Sequence, residues 1–151
     1  RRDDVVEFLE QRDYTFSFKI IFLLWMLKHA DKTGEVSLTL LRDDYQSFYK
    51  NLLTKYGKAE KPNSPLNNKE FINDKKQLTK SILQNPFEKF ERKSFMYHTK
   101  DLDKLAFDAV LWEKLESSDI ELIRKQMFED GKSYFDKNVE GGAFKKELFG
   151  E

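Results

Sequence analysis

The spacing of apolar and polar positions predicts a chain built mainly from amphipathic helices. The longest apolar run, residues 20–27, follows Ser17, and serine is a residue type that caps helices, so a helix is expected to start there. Because nearly every position in this run is apolar, the helix should be surrounded by protein on most sides, with Trp25 buried. The pattern therefore predicts a central helix.

A second long helix is predicted after a polar turn. Residues 31–34 form the turn, and residues 35–38 are long enough only for a short strand. From Ser37 apolar residues recur every three or four positions until Gly57, which is typical of an amphipathic helix closed by a glycine. Residues 57–68 contain two prolines and several asparagines, so we expect a loop there.

The next predicted helix carries a lysine-rich outer side. Asn73 is placed to cap residues 74–84, in which Leu78, Ile82 and Leu83 recur on the inner side. The polar residues left on the outer side are Lys75, Lys76, Gln77, Thr79 and Lys80. We interpret this segment as a candidate recognition helix.

A short helix and a hairpin are predicted to follow. Asn85 is expected to cap a helical turn, with Pro86 at its first position and Glu88 completing a capping box. Two short alternating segments then flank a polar turn at residues 100–103, which is typical of a β-hairpin. A hairpin directly after helices is the outline of a winged helix.

The C-terminal part is predicted to return to helices. Asp108 is expected to cap one helix, and Ser118 with Glu121 is expected to form a capping box that starts a last helix. The final segment is interrupted by glycines and is expected to be mobile.

These elements predict a mainly α (α+β) fold, a helical domain with a small β-hairpin wing. Residues 1–16 form a lead helix, residues 17–137 form a single winged-helix-like domain, and residues 138–151 form a flexible tail. With 151 residues and 14 Phe, the chain can bury one aromatic-rich core. It starts without Met, which suggests a piece of a larger protein.

The composition bears on the expected cellular location and on the kinds of site the chain can form. The absence of Cys excludes disulfides and Cys-based zinc sites and fits a reducing cytoplasm, so a cytoplasmic location is expected. No apolar run is long enough to span a bilayer, so no membrane partner is expected.

Charge is balanced over the whole chain but not along it. The 27 basic and 27 acidic residues cancel, so no global field attracts nucleic acid. Residues 75–104, however, contain eight basic and four acidic residues, while residues 1–16 and 113–130 are net acidic. Any polyanion site must therefore be local.

The basic segment supplies the candidate nucleic-acid-binding residues. They are Lys75, Lys76, Gln77, Thr79, Lys80, Lys89, Arg92, Lys93, Lys100 and Lys104. A helix side lined by Lys and Gln beside a basic hairpin suits phosphate contacts with insertion into a groove of DNA. The alternative is an ordinary solvated helix face. Lys50 and Lys55 are expected to lie outside the site.

Signatures of catalysis are sparse. Glu91 and Lys93 form a Glu-x-Lys element like that of many metal-dependent nucleases, with Asp74 as a possible further carboxylate, but such sites need carboxylates on adjoining strands and these residues are predicted on helices. His29 and His98 are isolated from each other. We therefore predict no catalytic residue, metal or cofactor, and keep an independent nuclease as a remote alternative.

Four segments carry a family resemblance. They read SFKIIFLLWMLKHADKTGEVSL, KPNSPL, NPFEKFERKSFM and FDAVLW. Their order resembles an accessory winged-helix-like domain of bacterial helicase and restriction-endonuclease proteins of phage defence, over residues 17–115. The resemblance implies a non-catalytic module that helps a larger protein hold duplex DNA or, alternatively, docks a partner subunit. Because the net charge is zero, weak and salt-dependent DNA binding is expected.

Overall fold

The computed structural model describes residues 2–10 and 16–150, and within them the fold is mainly helical with one small sheet, as the sequence predicts. The helices are α1 (Arg2–Glu10), α2 (Phe18–His29), α3 (Leu38–Tyr56), α4 (Lys69–Asn73), α5 (Lys75–Ile82), α6 (Glu88–Arg92), α7 (Ala109–Lys114), α8 (Ser117–Asn138) and α9 (Ala143–Phe149). The strands are β1 (Glu35–Ser37), β2 (Met96–Thr99) and β3 (Lys104–Phe107). Residues 11–15, where the lead helix was expected to end, lie outside the described residues.

Helix α2 is the central helix that its apolar run predicts. Ile20, Ile21, Phe22 and Met26 have no exposed surface, and α2 packs against both α3 and α8. Trp25 is only half-buried, with the Lys28 ammonium 4.8 Å from its ring centre, so the prediction of a buried Trp25 is wrong. One side of α2 therefore reaches the surface.

The predicted hairpin is present, and the short first strand pairs with it. The antiparallel sheet has the order β1-β3-β2, with Val36 opposite Leu105 and Met96 opposite Phe107. The turn of the hairpin contacts the start of α3, because the Asp103 carbonyl accepts a hydrogen bond from the Leu38 N–H at 3.0 Å. The pairing of β1 with β3 and this hydrogen bond hold the hairpin against the N-terminal end of α3.

Two of the predicted helix caps before the hairpin are wrong. Asn73 is the last residue of α4, and the α5 cap is Asp74, whose Oδ1 accepts the Gln77 N–H at 3.1 Å. Asn85 is extended, as expected for a residue before proline, and α6 begins only at Glu88. Asn85 therefore separates two helical segments and caps neither.

Of the two predicted caps after the hairpin, one is confirmed and one is wrong. Asp108 does cap α7, accepting the Leu111 N–H at 3.0 Å. The capping box of α8 is formed by Glu116 and Asp119, two residues earlier than the predicted Ser118 and Glu121. Since Leu115 is already extended after α7, Glu116 is the first residue free to cap the next helix.

The end of the chain is packed, so the prediction of a flexible tail is wrong over α9. Phe144 is fully buried and stacks on Phe135 with 5.4 Å between ring centres. The Glu147 carboxylate accepts hydrogen bonds from Asn51 at 2.6 Å and from Lys55 at 3.0 Å, both on α3. Helix α9 thereby closes the core over α3 and α8.

We expect Gly131→Ala to destabilise the protein by about 1 to 3 kcal/mol, although Ala usually stabilises a helix relative to Gly. A Cβ at Gly131 would lie 2.4 Å from Cζ of Phe144, and that ring is held against Phe135. Gly141→Ala is the control, because a Cβ there meets nothing within 4 Å. Urea unfolding followed by circular dichroism measures both, and equal midpoints for the two variants would contradict the packing of α9.

A buried carboxylate joins four parts of the fold. Glu60 has no exposed surface and accepts hydrogen bonds from the Ser17 N–H at 2.9 Å, the Ser17 hydroxyl at 2.5 Å, the Lys61 N–H at 2.9 Å and the Tyr134 hydroxyl. The Tyr49 hydroxyl lies 2.6 Å from Ser17 Oγ. Ser17 therefore precedes α2 as predicted, but its side chain binds Glu60 and makes no cap hydrogen bond.

The tyrosines around Glu60 remain neutral donors. Burial raises the pKa of Tyr45, Tyr49 and Tyr134 well above the usual value, and the bond to Glu60 raises that of Tyr134 further. Burial disfavours the charged phenolate, and the nearby carboxylate repels it. Glu60, Ser17 and Tyr49 have no exposed surface, so the hydrogen bonds of this buried cluster connect α2, α3, α8 and the loop after α3.

Candidate nucleic-acid interface

The lysine-rich side of α5 faces solvent because the opposite side enters the core. Leu78 and Ile82 are fully buried, so Lys75, Lys76 and Lys80 are left exposed. This is the amphipathic division that the sequence predicts for the candidate recognition helix. The α-helix spans Lys75–Ile82 and continues into a π-helical segment at Leu83–Phe87, in which Asn85 is the residue with non-helical backbone angles, whereas the sequence predicts one helix over residues 74–84.

The exposed side of α5 borders an open groove of about 580 Å³ against α3. The groove is lined by Arg42, Lys75, Lys76, Thr79, Lys80, Leu83 and Gln84. Four of these side chains are cationic, and none of the described residues that line the groove is acidic. We call this surface the α3–α5 groove.

Its lysines are available to a ligand. Within the described residues, Lys75, Lys76 and Lys80 make no ion pair. Thr79 is differently placed, because its hydroxyl donates to the Lys75 carbonyl at 2.8 Å. Its hydrogen is therefore committed to the helix, whereas the ammonium groups can each donate to an anion.

Arg42 is a groove residue that the sequence did not single out for binding. Its guanidinium lies against the neighbouring Asp43, with Nη2 3.0 Å from Oδ1, and its side chain is 18% exposed. The carboxylate fixes the direction of the guanidinium and offsets part of its charge. Arg42 is therefore better suited to shaping the wall of the groove than to supplying an independent charge.

The remaining predicted site residues lie outside this groove. Gln77, Lys89 and Lys93 are exposed but do not line it. Arg92 lies 3.5 Å from Glu88, and Lys104 lies 3.9 Å from Glu35 across the sheet. The side chain of Lys100 is outside the described residues. The structure thus gathers Lys75, Lys76, Thr79 and Lys80, and gives Arg92 and Lys104 carboxylate neighbours.

A second depression lies further along the same side of α3. It has a volume of about 380 Å³, and the described residues that line it, none of them acidic, are Lys50, Leu53, Thr54, Asn67, Lys69, Ile72 and Asn73. We call it the α3–α4 depression. Lys55, in contrast, pairs with Glu147, whose carboxylate raises the pKa of the Lys55 ammonium. Lys50 therefore lines the depression, whereas Lys55 is held in an ion pair.

The residues considered for metal chemistry are not assembled. Glu91 lies on a helix, and Asp74 is engaged as the α5 cap. His29 instead faces the Asp44 carboxylate at 2.5 Å, and the His98 ring lies 6.2 Å from that of Phe87. In the part of the chain that the structure describes, no group of three or more His, Asp or Glu side chains could hold a metal ion.

Comparisons with family models, curated proteins and solved structures gave no match to this chain. Among the described residues, no helix is both long and apolar enough to cross a membrane.

Proposed function

We propose that this chain is a non-catalytic accessory module that binds duplex DNA through phosphate contacts in the α3–α5 groove, within a larger DNA-processing or defence protein. The observation that supports it best is a groove that, among the described residues, concentrates lysines without ion pairs and contains no carboxylate, in a chain whose net charge is zero. Such a surface provides the sequence-independent part of DNA binding.

The topology supports the same proposal. Helix α2, strand β1, helices α3 and α5, and the β2–β3 hairpin follow one another in the order that the winged-helix interpretation expects, with β1 paired to the hairpin. In winged and related helix-turn-helix modules, an exposed helix contacts the DNA. Here α5 is the helix whose exposed side is cationic.

We expect the isolated chain to bind a short labelled duplex with a dissociation constant in the micromolar range or weaker, at low salt. The dependence of log K on log salt should have a slope of about 0.9 per phosphate contacted, because each contact releases a counterion. The triple variant Lys75→Gln, Lys76→Gln, Lys80→Gln should lower that slope by up to about three, on any DNA sequence. Fluorescence anisotropy over a salt series measures it.

The matched control removes the same charge from another surface. Lys125, Lys132 and Lys137 are exposed on α8 and do not line the groove, so their replacement by Gln should leave the slope nearly unchanged. Equal losses in the two triple variants would mean diffuse attraction without a site. A wild-type protein that fails to bind duplex at low salt would contradict the proposal.

A second candidate function, docking of a partner subunit, is favoured by a different surface. Leu40 and Leu102 are 53% and 62% exposed, and both lie beside the junction where Asp103 bonds the start of α3. Contiguous exposed apolar patches mark sites of protein interaction. This function predicts that Leu40→Ser and Leu102→Ser disturb assembly with the larger protein while leaving DNA affinity intact.

A further inference from the structure

We infer that the α3–α4 depression is a second phosphate-binding subsite for the same DNA, so that the contacted strand runs along α3 and not across to the hairpin. This inference rests on the proposed function and names the path of its ligand. Its evidence is the position of Lys50 and Lys69, and the fact that both the depression and the α3–α5 groove lie between α3 and the segment that contains α4 and α5.

The two surfaces are bordered by the same two parts of the chain, although none of the described residues lines both. One wall is α3, which places Arg42 in the groove and Lys50 in the depression, eight residues or roughly 12 Å apart along the helix. The other wall is the continuous segment from α4 to α5, which supplies Lys69 to the depression and Lys75 to the groove. Cationic residues of both surfaces therefore lie on the two sides of the seam between α3 and the α4–α5 segment.

A hydrogen bond holds the seam in place. The Gln46 side-chain amide, midway between Arg42 and Lys50, donates to the Ile72 carbonyl at 2.8 Å. Asn67 fixes the neighbouring loop by accepting the Ala59 and Glu60 N–H groups and donating to the Glu60 and Lys61 carbonyls. The Asn67 amide is thereby occupied, and the ligand contacts fall to the lysines.

The charges and spacing fit a nucleic-acid strand. Within the described residues, neither Lys50 nor Lys69 makes an ion pair, and no carboxylate lines the depression. Phosphates of one DNA strand advance about 3.4 Å each along the axis, so roughly 12 Å of α3 corresponds to three or four phosphates. By contrast, Lys104 of the hairpin already faces Glu35.

The test compares salt slopes on a short labelled duplex for the wild type, the Lys50→Gln, Lys69→Gln variant, the triple α5 variant of Lys75, Lys76 and Lys80, and a charge-matched Lys125→Gln, Lys132→Gln control. The proposed function alone predicts a lower slope for the α5 variant and an unchanged slope for the Lys125, Lys132 control. We expect the Lys50, Lys69 variant to lower the slope by up to about two, while the control leaves it unchanged. Circular dichroism and thermal unfolding check that each variant remains folded, as the exposure of these lysines implies.

The outcomes separate the two proposals. A slope lowered by the α5 variant but equal to the control for the Lys50, Lys69 variant would overturn the second subsite and leave the proposed function standing. A slope unchanged by both variants would overturn both. A loss from the Lys50, Lys69 variant together with a further loss when all five lysines are replaced would support one continuous path.

Discussion

Glu60→Ala is expected to lower the free energy of unfolding by at least about 3 kcal/mol, because it leaves several buried donors without an acceptor. The Ser17 N–H and hydroxyl, the Lys61 N–H and the Tyr134 hydroxyl all donate to this carboxylate. A domain of this size has about 5 to 15 kcal/mol of stability in total, so the variant should show a much lower urea midpoint.

Two further variants bracket this result. Tyr134→Phe removes one donor from Glu60 and should cost about 1 to 2 kcal/mol, less than the loss of the acceptor itself. Glu140→Ala removes an exposed carboxylate and should change stability by less than about 0.5 kcal/mol. If Glu60→Ala unfolded at the same midpoint as Glu140→Ala, the buried cluster would not be holding the helices together.

Phe135→Ala is expected to cost about 3 to 5 kcal/mol, because it opens a cavity where aromatic rings meet. The Phe135 side chain has no exposed surface, and its ring centre lies 5.3 Å from those of Phe48 and Tyr134 and 5.4 Å from that of Phe144. Removing it takes one partner from each of these pairs and loosens α9 as well as α8.

The same urea measurement supplies the comparison. Leu122 lies on α8 as well but is 67% exposed, so Leu122→Ala should change the midpoint little. Limited proteolysis should also cut within α9 faster in Phe135→Ala than in the wild type, since α9 packs on this ring. Wild-type stability in Phe135→Ala would contradict the position of this aromatic cluster at the centre of the core.

The sequence predicts the elements whose signals are local. The unbroken apolar run of α2, the three-and-four spacing of α3 and the alternation of β2 and β3 each follow from side-chain periodicity. The lysine-rich side of α5 is predicted for the same reason, because Leu78 and Ile82 mark the opposite side. The sequence therefore predicts the α5 side of the candidate groove without any knowledge of tertiary contacts.

The other half of the groove depends on packing between distant segments. Arg42 lines it from α3, 33 residues before Lys75, and nothing in the sequence pattern around Arg42 distinguishes it from the other polar positions on that helix. Glu60 is similar, because a glutamate in a proline-containing loop is expected at the surface, and its partners Ser17 and Tyr134 lie far from it in sequence.

Helix ends and the C-terminal segment show where local signals mislead. Both Glu116 with Asp119 and Ser118 with Glu121 have capping-box spacing, and the end of α7 decides between them. The two glycines before α9 suggest mobility, but Phe144 fits the space left by the missing side chain of Gly131. That fit joins two helices and has no signature within either of them.

The proposed DNA-binding surface is tested most directly by titrating isotope-labelled protein with a short duplex at low salt and following the backbone amide resonances. The largest shifts should fall on Arg42, Lys50, Lys69 and residues 75–80, which border the α3–α5 groove and the α3–α4 depression. They should diminish together as salt is raised. Resonances that do not move at low salt, or that move only in the hairpin at residues 96–107, would contradict duplex binding at this surface.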